Sequence, residues 1–233
     1  NVYRKEKRCS VRPCMPRRML VAMQMEEFMT RRYELRFNRM KGCKEYRERH
    51  SLFTDYRPVT AETVKSICFE AQLEGVSAIE YDVQRYVDSR RVSHYWPVEE
   101  FLFDLPHWDG QDRIRTLADC VPCENEEWRN FFYIWFLSMV AHWLQMDREH
   151  ANSTSPLLVG PQGCRKSTFC QGLLPPELRP YFVDGIDLGS RKDAEMALSR
   201  FALINLDEFD SIPASRQPYL KNLLQKAKVT LRK

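Results

Sequence analysis

Glycine is scarce. The 233 residues hold 8 Gly against 13 Phe, 10 Tyr and 5 Trp, which excludes the composition of a flexible, low-complexity polymer. With 43% hydrophobic and 29% charged residues, the chain can build a core, and its length allows one large domain or two small ones. A long apolar run is missing too. The most apolar stretch, Phe131 to Leu144, is about 14 residues and is interrupted by Ser138 and His142. A membrane span needs roughly 20 apolar residues, so this stretch reads as a buried helix. No basic-then-apolar leader with a small-residue cleavage site opens the chain, and export has no support. Internal repeats are absent. The chain starts at Asn1 and stops at Lys233 inside an apolar and basic alternation, and the expectation is a piece of a longer protein.

Paired cysteines are few. Of the 8 cysteines, only Cys120-Val-Pro-Cys123 forms a tight pair, and no second pair stands at zinc-ligand spacing. One pair cannot close a four-ligand site; Cys9 and Cys14 would have to complete it. The plainer expectation is reduced thiols in a cytoplasmic protein. Net charge is small, +4, but uneven: residues 1–50 carry 15 Lys/Arg against 6 Asp/Glu, and the remainder 21 against 26. A basic arm on a mildly acidic body suits a polyanion partner, or is simply a solvated terminus.

Along the chain, residues 1–14 are basic, lack periodicity and read as mobile. Met19, Leu20, Met23 and Phe28 then fall at helical spacing, predicting a helix from about Met15 to Thr30. Tyr33, Leu35 and Phe37 alternate with polar residues, the period of a half-buried strand. Met40 to Asp55 reads as a loop or weak hairpin. Thr60 opens a helix with Val64, Ile67, Cys68 and Ala71 on one face, stopped by Gly75. Another helical piece covers about Tyr81 to Ser89. Residues 1–95 therefore read as a basic arm and a small, mainly helical module.

Residues 96–150 read as a helical linker or lid segment. Pro97 to Leu105 is a short helix, Asp109-Gly110 marks a turn, and Asp112 caps a helix beginning at Arg113. A long aromatic helix runs from about Trp128 to Met146, with Glu126 and Glu127 where a helix N-terminus favours negative charge. Its aromatic stripe, with Trp135 and Trp143, is expected to pack rather than bind.

Chemistry concentrates in residues 151–233. Leu157-Leu158-Val159 predicts an apolar strand entering the loop Gly160-Pro161-Gln162-Gly163-Cys164-Arg165, after which Lys166-Ser167-Thr168 opens a helix. This order suits a phosphate loop. Small residues let backbone N–H groups converge on a polyphosphate, a Lys reaches the β and γ phosphates, and the Ser167 hydroxyl ligates magnesium. The pattern wants Gly at position 165, where this chain has Arg165; that side chain either crowds the loop or points outward and adds charge. About 40 residues on, Phe201-Ala-Leu-Ile-Asn-Leu-Asp207-Glu208 is an apolar run ending in two acids. Asp207 is placed to hold the magnesium ion through water, and Glu208 to polarise the attacking water as general base. Adjacent Asp-Glu favours hydrolysis over transfer to a metabolite. The lack of an Asn-Lys-x-Asp motif disfavours a GTPase, leaving ATP as the expected nucleotide.

Trp108-Asp109-Gly110-x-Asp112-Arg113, His150-Ala-Asn-Ser153, Lys166-Ser-Thr-Phe-Cys170, Leu173-Leu-Pro-Pro-Glu177 and Asn205-Leu-Asp-Glu-Phe-Asp210, in this order, resemble the virulence-associated E family. Its members are similar to the superfamily 3 helicase part of phage and viral primase-helicases. The resemblance covers about residues 95–233 well and the rest more loosely. It implies an α/β P-loop NTPase fold with an AAA+/superfamily 3-like parallel sheet, incomplete in this chain, and an ATPase of phage or mobile-element origin. It further implies ATP and Mg2+ as cofactors, DNA as partner, a role in replication and self-association into a hexameric ring. Lys166, Ser167, Asp207 and Glu208 match its motif positions; Arg165 departs from them. The γ-phosphate sensor and arginine finger are expected beyond Lys233. The other reading is a nucleotide-dependent DNA-binding or regulatory module with little or no hydrolysis. Lys226, Lys228, Arg232 and Lys233 read either as the start of a basic DNA-facing hairpin or as an edge strand.

Overall fold

Helix α1, Arg17–Arg32, buries Val21, Met25, Phe28 and Met29 along one face and ends in Arg31 and Arg32, cations suited to a helix C-terminus. In this computed structural model, which describes residues 15–146, 154–207 and 212–225, the chain divides into two units. One comprises residues 1–38 and 43–95, the other residues 39–42 and 96–233.

In the first unit, β1 (Tyr33–Asn38) pairs antiparallel with β2 (Cys43–Glu48), and β2 with β3 (Arg57–Pro58). Helices α2 (Ala61–Leu73) and α3 (Glu80–Val87) follow, and β4 (Ser93–Tyr95) pairs parallel with β1. The sheet order is β3-β2-β1-β4. Thr60 caps α2 reciprocally with Thr63, each side chain accepting the other's backbone N–H at 3.2 Å. Val64, Ile67, Cys68 and Ala71 are all buried, against Phe28, Met29, Tyr33, Val83 and Val87.

This four-stranded sheet corrects the expectation of little strand in the module, although helices hold more of its residues than strands do. β2 reads Cys-Lys-Glu-Tyr-Arg-Glu, too polar to show a strand period, because ion pairs occupy the face turned away from the apolar core. Arg36 opposes Glu45 and bonds it at 2.9 Å, and Glu34 opposes Arg47 at 2.6 Å. Asn38 adds its amide to the buried Glu45, and the Arg36 guanidinium lies 3.6 Å from the ring centres of both Tyr56 and Tyr95.

The second unit contains α4 (Pro97–Phe103), α5 (Arg113–Ala118), α6 (Trp128–Trp143), α7 (Lys166–Gly172), β5 (Phe182–Asp184), α8 (Arg191–Arg200), β6 (Leu203–Asn205) and α9 (Gln217–Gln225). β5 and β6 are parallel and joined through α8, the crossover that parallel pairing requires. The aromatic helix packs, as its composition implies. Phe132, Trp135 and Met139 are buried with Ala118 and Leu173, against partly buried Trp128, Phe169 and Leu203. The Trp143 indole N–H donates to the Ala202 carbonyl at 2.8 Å.

A second correction concerns Leu157-Leu158-Val159. No strand forms there, and Leu157 and Val159 are 66% and 88% exposed. A parallel strand gains its burial from neighbours on both sides, and among the described residues β5 and β6 pair only with each other. Among the described residues the architecture is mixed α/β with small sheets, and β5 and β6 are its parallel pair in the second unit. No described helix is long and apolar enough to cross a membrane.

Candidate functional site

The loop between residues 160 and 165 is exposed throughout. Gly163 has φ +82°. Arg165 stands immediately before α7 with φ 64° and ψ 29°, the left-handed region. Glycine enters that region freely, whereas a residue with a Cβ pays roughly 1–2 kcal/mol. The loop thus takes at position 165 the backbone shape that its motif assigns to Gly, with an Arg in place. Among the described residues the Arg165 side chain has no hydrogen-bond or ion-pair partner.

Lys166 folds back over the loop. Its Nζ donates to the carbonyls of Gly160 at 2.9 Å and Pro161 at 3.0 Å, with Cys164 Sγ 3.6 Å away. Position 160 is tight as well, since a Cβ there would stand 3.2 Å from Cys164 Sγ.

Ser167 is the second residue of α7, in its first turn, and Asp207 lies two residues beyond the end of β6. The Ser167 hydroxyl is 3.3 Å from Asp207 Oδ2. Two packing contacts hold these segments: Phe169 of α7 lies 6.1 Å, centre to centre, from the buried Phe132 ring, and Trp143 grips Ala202 just before β6. Gln162 and Thr168 are exposed on the loop and on α7. Glu208 lies outside the described residues, as do His150–Ser153, the basic arm of residues 1–14 and the basic cluster from Lys226 to Lys233.

Two residues without an assigned role join the site. The Asn205 amide donates to Asp184 Oδ1 at 2.6 Å across the ends of β5 and β6. The only sequence sign of Asp184 is its place after the apolar pair Phe182-Val183 and before Gly185, a weak echo of the run that precedes Asp207. The Cys170 thiol is pushed up, first by burial and then by the charges of Asp184 and Asp207.

Trp108 to Arg113 forms a local turn. Trp108 Nε1 donates to the Gln111 carbonyl at 3.0 Å. Asp109 accepts the Gln111 N–H at 3.1 Å and is clamped by Arg113 at 2.7 and 2.6 Å. Asp112 caps α5 by accepting the Arg115 N–H at 3.0 Å. Arg113 holds the Asp109 carboxyl well below the usual carboxylate range. The motif shapes the entry to α5. Cys120 and Cys123 are free and exposed, and no group of three or more His, Cys, Asp or Glu among the described residues is arranged to hold a metal ion.

The family model of the virulence-associated protein E-like domain matches residues 102–233, more than half of the chain. No curated protein matches the chain.

Proposed function

The chain belongs to the virulence-associated protein E-like family, and from that premise we propose that it binds ATP with Mg2+ at residues 160–168 and hydrolyses it, as a helicase-like ATPase acting on DNA. Family membership is consistent with a protein associated with phages or mobile elements. The observation that carries the reading is the meeting of Ser167 and Asp207 at 3.3 Å. It brings the two motifs that a nucleotide site needs to one place.

The donor set fits the cation. A hydroxyl and a carboxylate are hard oxygen donors, and Mg2+ takes one or two such groups while keeping phosphate oxygens and waters. When bound, the ion offsets charge on the phosphate oxygens. Lys166 is the matching point charge for the β and γ phosphates, Ser167 and Asp207 hold the ion, and Glu208 is the base that orients water. Residues 160–165 are exposed, so the loop is open to solvent. DNA as partner is supported by the family and by the excess of 15 Lys/Arg over 6 Asp/Glu in residues 1–50. Assembly into a ring is supported by the family alone.

The test is phosphate release with and without DNA. The intact full-length protein is expected to release phosphate from ATP faster when DNA is added, Glu208→Gln to stop release while retaining ATP, and Lys166→Ala to lose ATP binding. Lys166→Ala binding ATP as tightly as the parent would show the site to be misplaced. One observation favours the second reading, a nucleotide-dependent DNA-binding module without hydrolysis: Arg165 stands in the left-handed position that the motif gives to Gly. That reading requires ATP to alter DNA affinity while Glu208→Gln changes nothing.

A further inference from the structure

β5 and β6 end level with each other. Their register sets Asp184 opposite Asn205, the Asn205 amide holds Asp184 Oδ1, and the Gly185 N–H donates to the Asn205 carbonyl at 2.7 Å. Asp207 follows two residues later and reaches Ser167. Each of the two parallel strands therefore delivers an exposed carboxylate at its carboxyl end, the end where loops in α/β units converge on ligands. Asn205, bonded to Asp184, is two residues from Asp207, so the two acids stand near each other at the ends of neighbouring strands. The Cys170 thiol, one turn along α7 from Ser167, is pushed up by burial first and then by both charges.

We propose that Asp184 is a second acidic residue of the nucleotide site, held by Asn205 so that its remaining oxygen accepts from waters of the bound divalent cation. The inference rests on the ATP and Mg2+ reading above and deepens it. Magnesium ions keep several waters when protein-bound, and carboxylates that accept from such waters fix the ion's orientation. The Asn205 hydrogen bond occupies one carboxylate oxygen and leaves the other. Asn205 is the positioning residue, and the pair also ties the two strand ends together.

A purely structural clamp is separable from a charge that serves the ion. In Asp184→Asn the new amide oxygen still accepts from Asn205, while the charge is gone. The intact chain is titrated with methylanthraniloyl-labelled ATP, once with saturating Mg2+ and once with excess EDTA. In EDTA, Asp184→Asn is expected to match the parent within about twofold. It is expected to lose on the order of tenfold of the affinity that Mg2+ confers, the size of effect typical of a residue behind a metal's direct ligands. Asp184→Glu, which keeps the charge, is expected to recover most of that gain. An undiminished Mg2+ gain in Asp184→Asn, an equal loss in EDTA, or a Glu variant no better than the Asn variant overturns the proposal and leaves the nucleotide reading standing. A parent that binds no labelled ATP overturns both.

Discussion

The hydroxyl of Ser167 and the carboxylate of Asp207 lie 3.3 Å apart although 40 residues separate them. The contact is made because α7 is anchored through Phe169 to the aromatic helix α6 and β6 is anchored to the same helix through Trp143. Ser167→Ala and Asp207→Asn remove one partner each from an exposed pair, so stability is expected to change by less than about 1 kcal/mol. ATP affinity in Mg2+ is expected to fall on the order of tenfold, ~1.4 kcal/mol. Affinity measured in EDTA is expected to stay put. Equal losses under both conditions would tie the pair to loop shape instead of the ion.

Arg165 stores backbone strain at φ 64°. Arg165→Gly relieves a left-handed cost of roughly 1–2 kcal/mol, partly offset by the extra freedom glycine brings to the unfolded chain. The expected net gain is about 0.5–1 kcal/mol, a rise in midpoint of roughly 1–4 °C for a chain of this size. ATP affinity is expected to change less than about threefold, because the loop already has its glycine-like shape. Arg165→Val should lower the midpoint. A thermal melt and a nucleotide titration check both, and a drop in midpoint for Arg165→Gly contradicts the strain argument.

Trp143→Phe keeps most of the aromatic packing and deletes the donor to the Ala202 carbonyl. Leaving that half-buried acceptor unmet is expected to cost about 1–2 kcal/mol. Phe132→Ala, at a fully buried ring touching Trp128, Trp135, Phe136 and Phe169, is expected to cost about 3–5 kcal/mol. Denaturant unfolding measures the two. If Trp143→Phe leaves stability untouched, the indole bond is not what fastens β6.

Asp109 offers a pH test. Arg113 holds its carboxyl below the ordinary value, so the folded state binds this proton more weakly than the unfolded chain does. The contribution is therefore present above the unfolded value of ~3.9 and fades as pH falls through the lowered folded value. Asp109→Asn keeps the acceptor for the Gln111 N–H and removes the charge. The midpoint difference between parent and variant is expected at neutral pH and should shrink steadily below about pH 4. A constant difference from neutral to acid would mean that the charge is irrelevant.

What could be read from residue order was local. The face of α2 carrying Val64, Ile67, Cys68 and Ala71, the Thr60 start and the Asp112 cap were visible because a helix writes its period and ends into adjacent residues. The aromatic helix α6 announced itself in the same way, by length and apolarity. β2 did not, since its stability comes from charges on β1 opposite it, such as Arg36 against Glu45. Leu157-Leu158-Val159 misled for the converse reason: the residues suit a strand, yet a strand exists only through a neighbour's hydrogen bonds.

The chain's order of residues alone determined the loop, its lysine and serine, and an apolar run ending in Asp207, because each is a contiguous pattern. Only the tertiary structure decided that Ser167 meets Asp207, that Asp184 stands beside Asn205, and that Arg165 takes a glycine's conformation. Those are relations between segments up to 40 residues apart, or torsion angles set by the surroundings, and local periodicity carries no record of either.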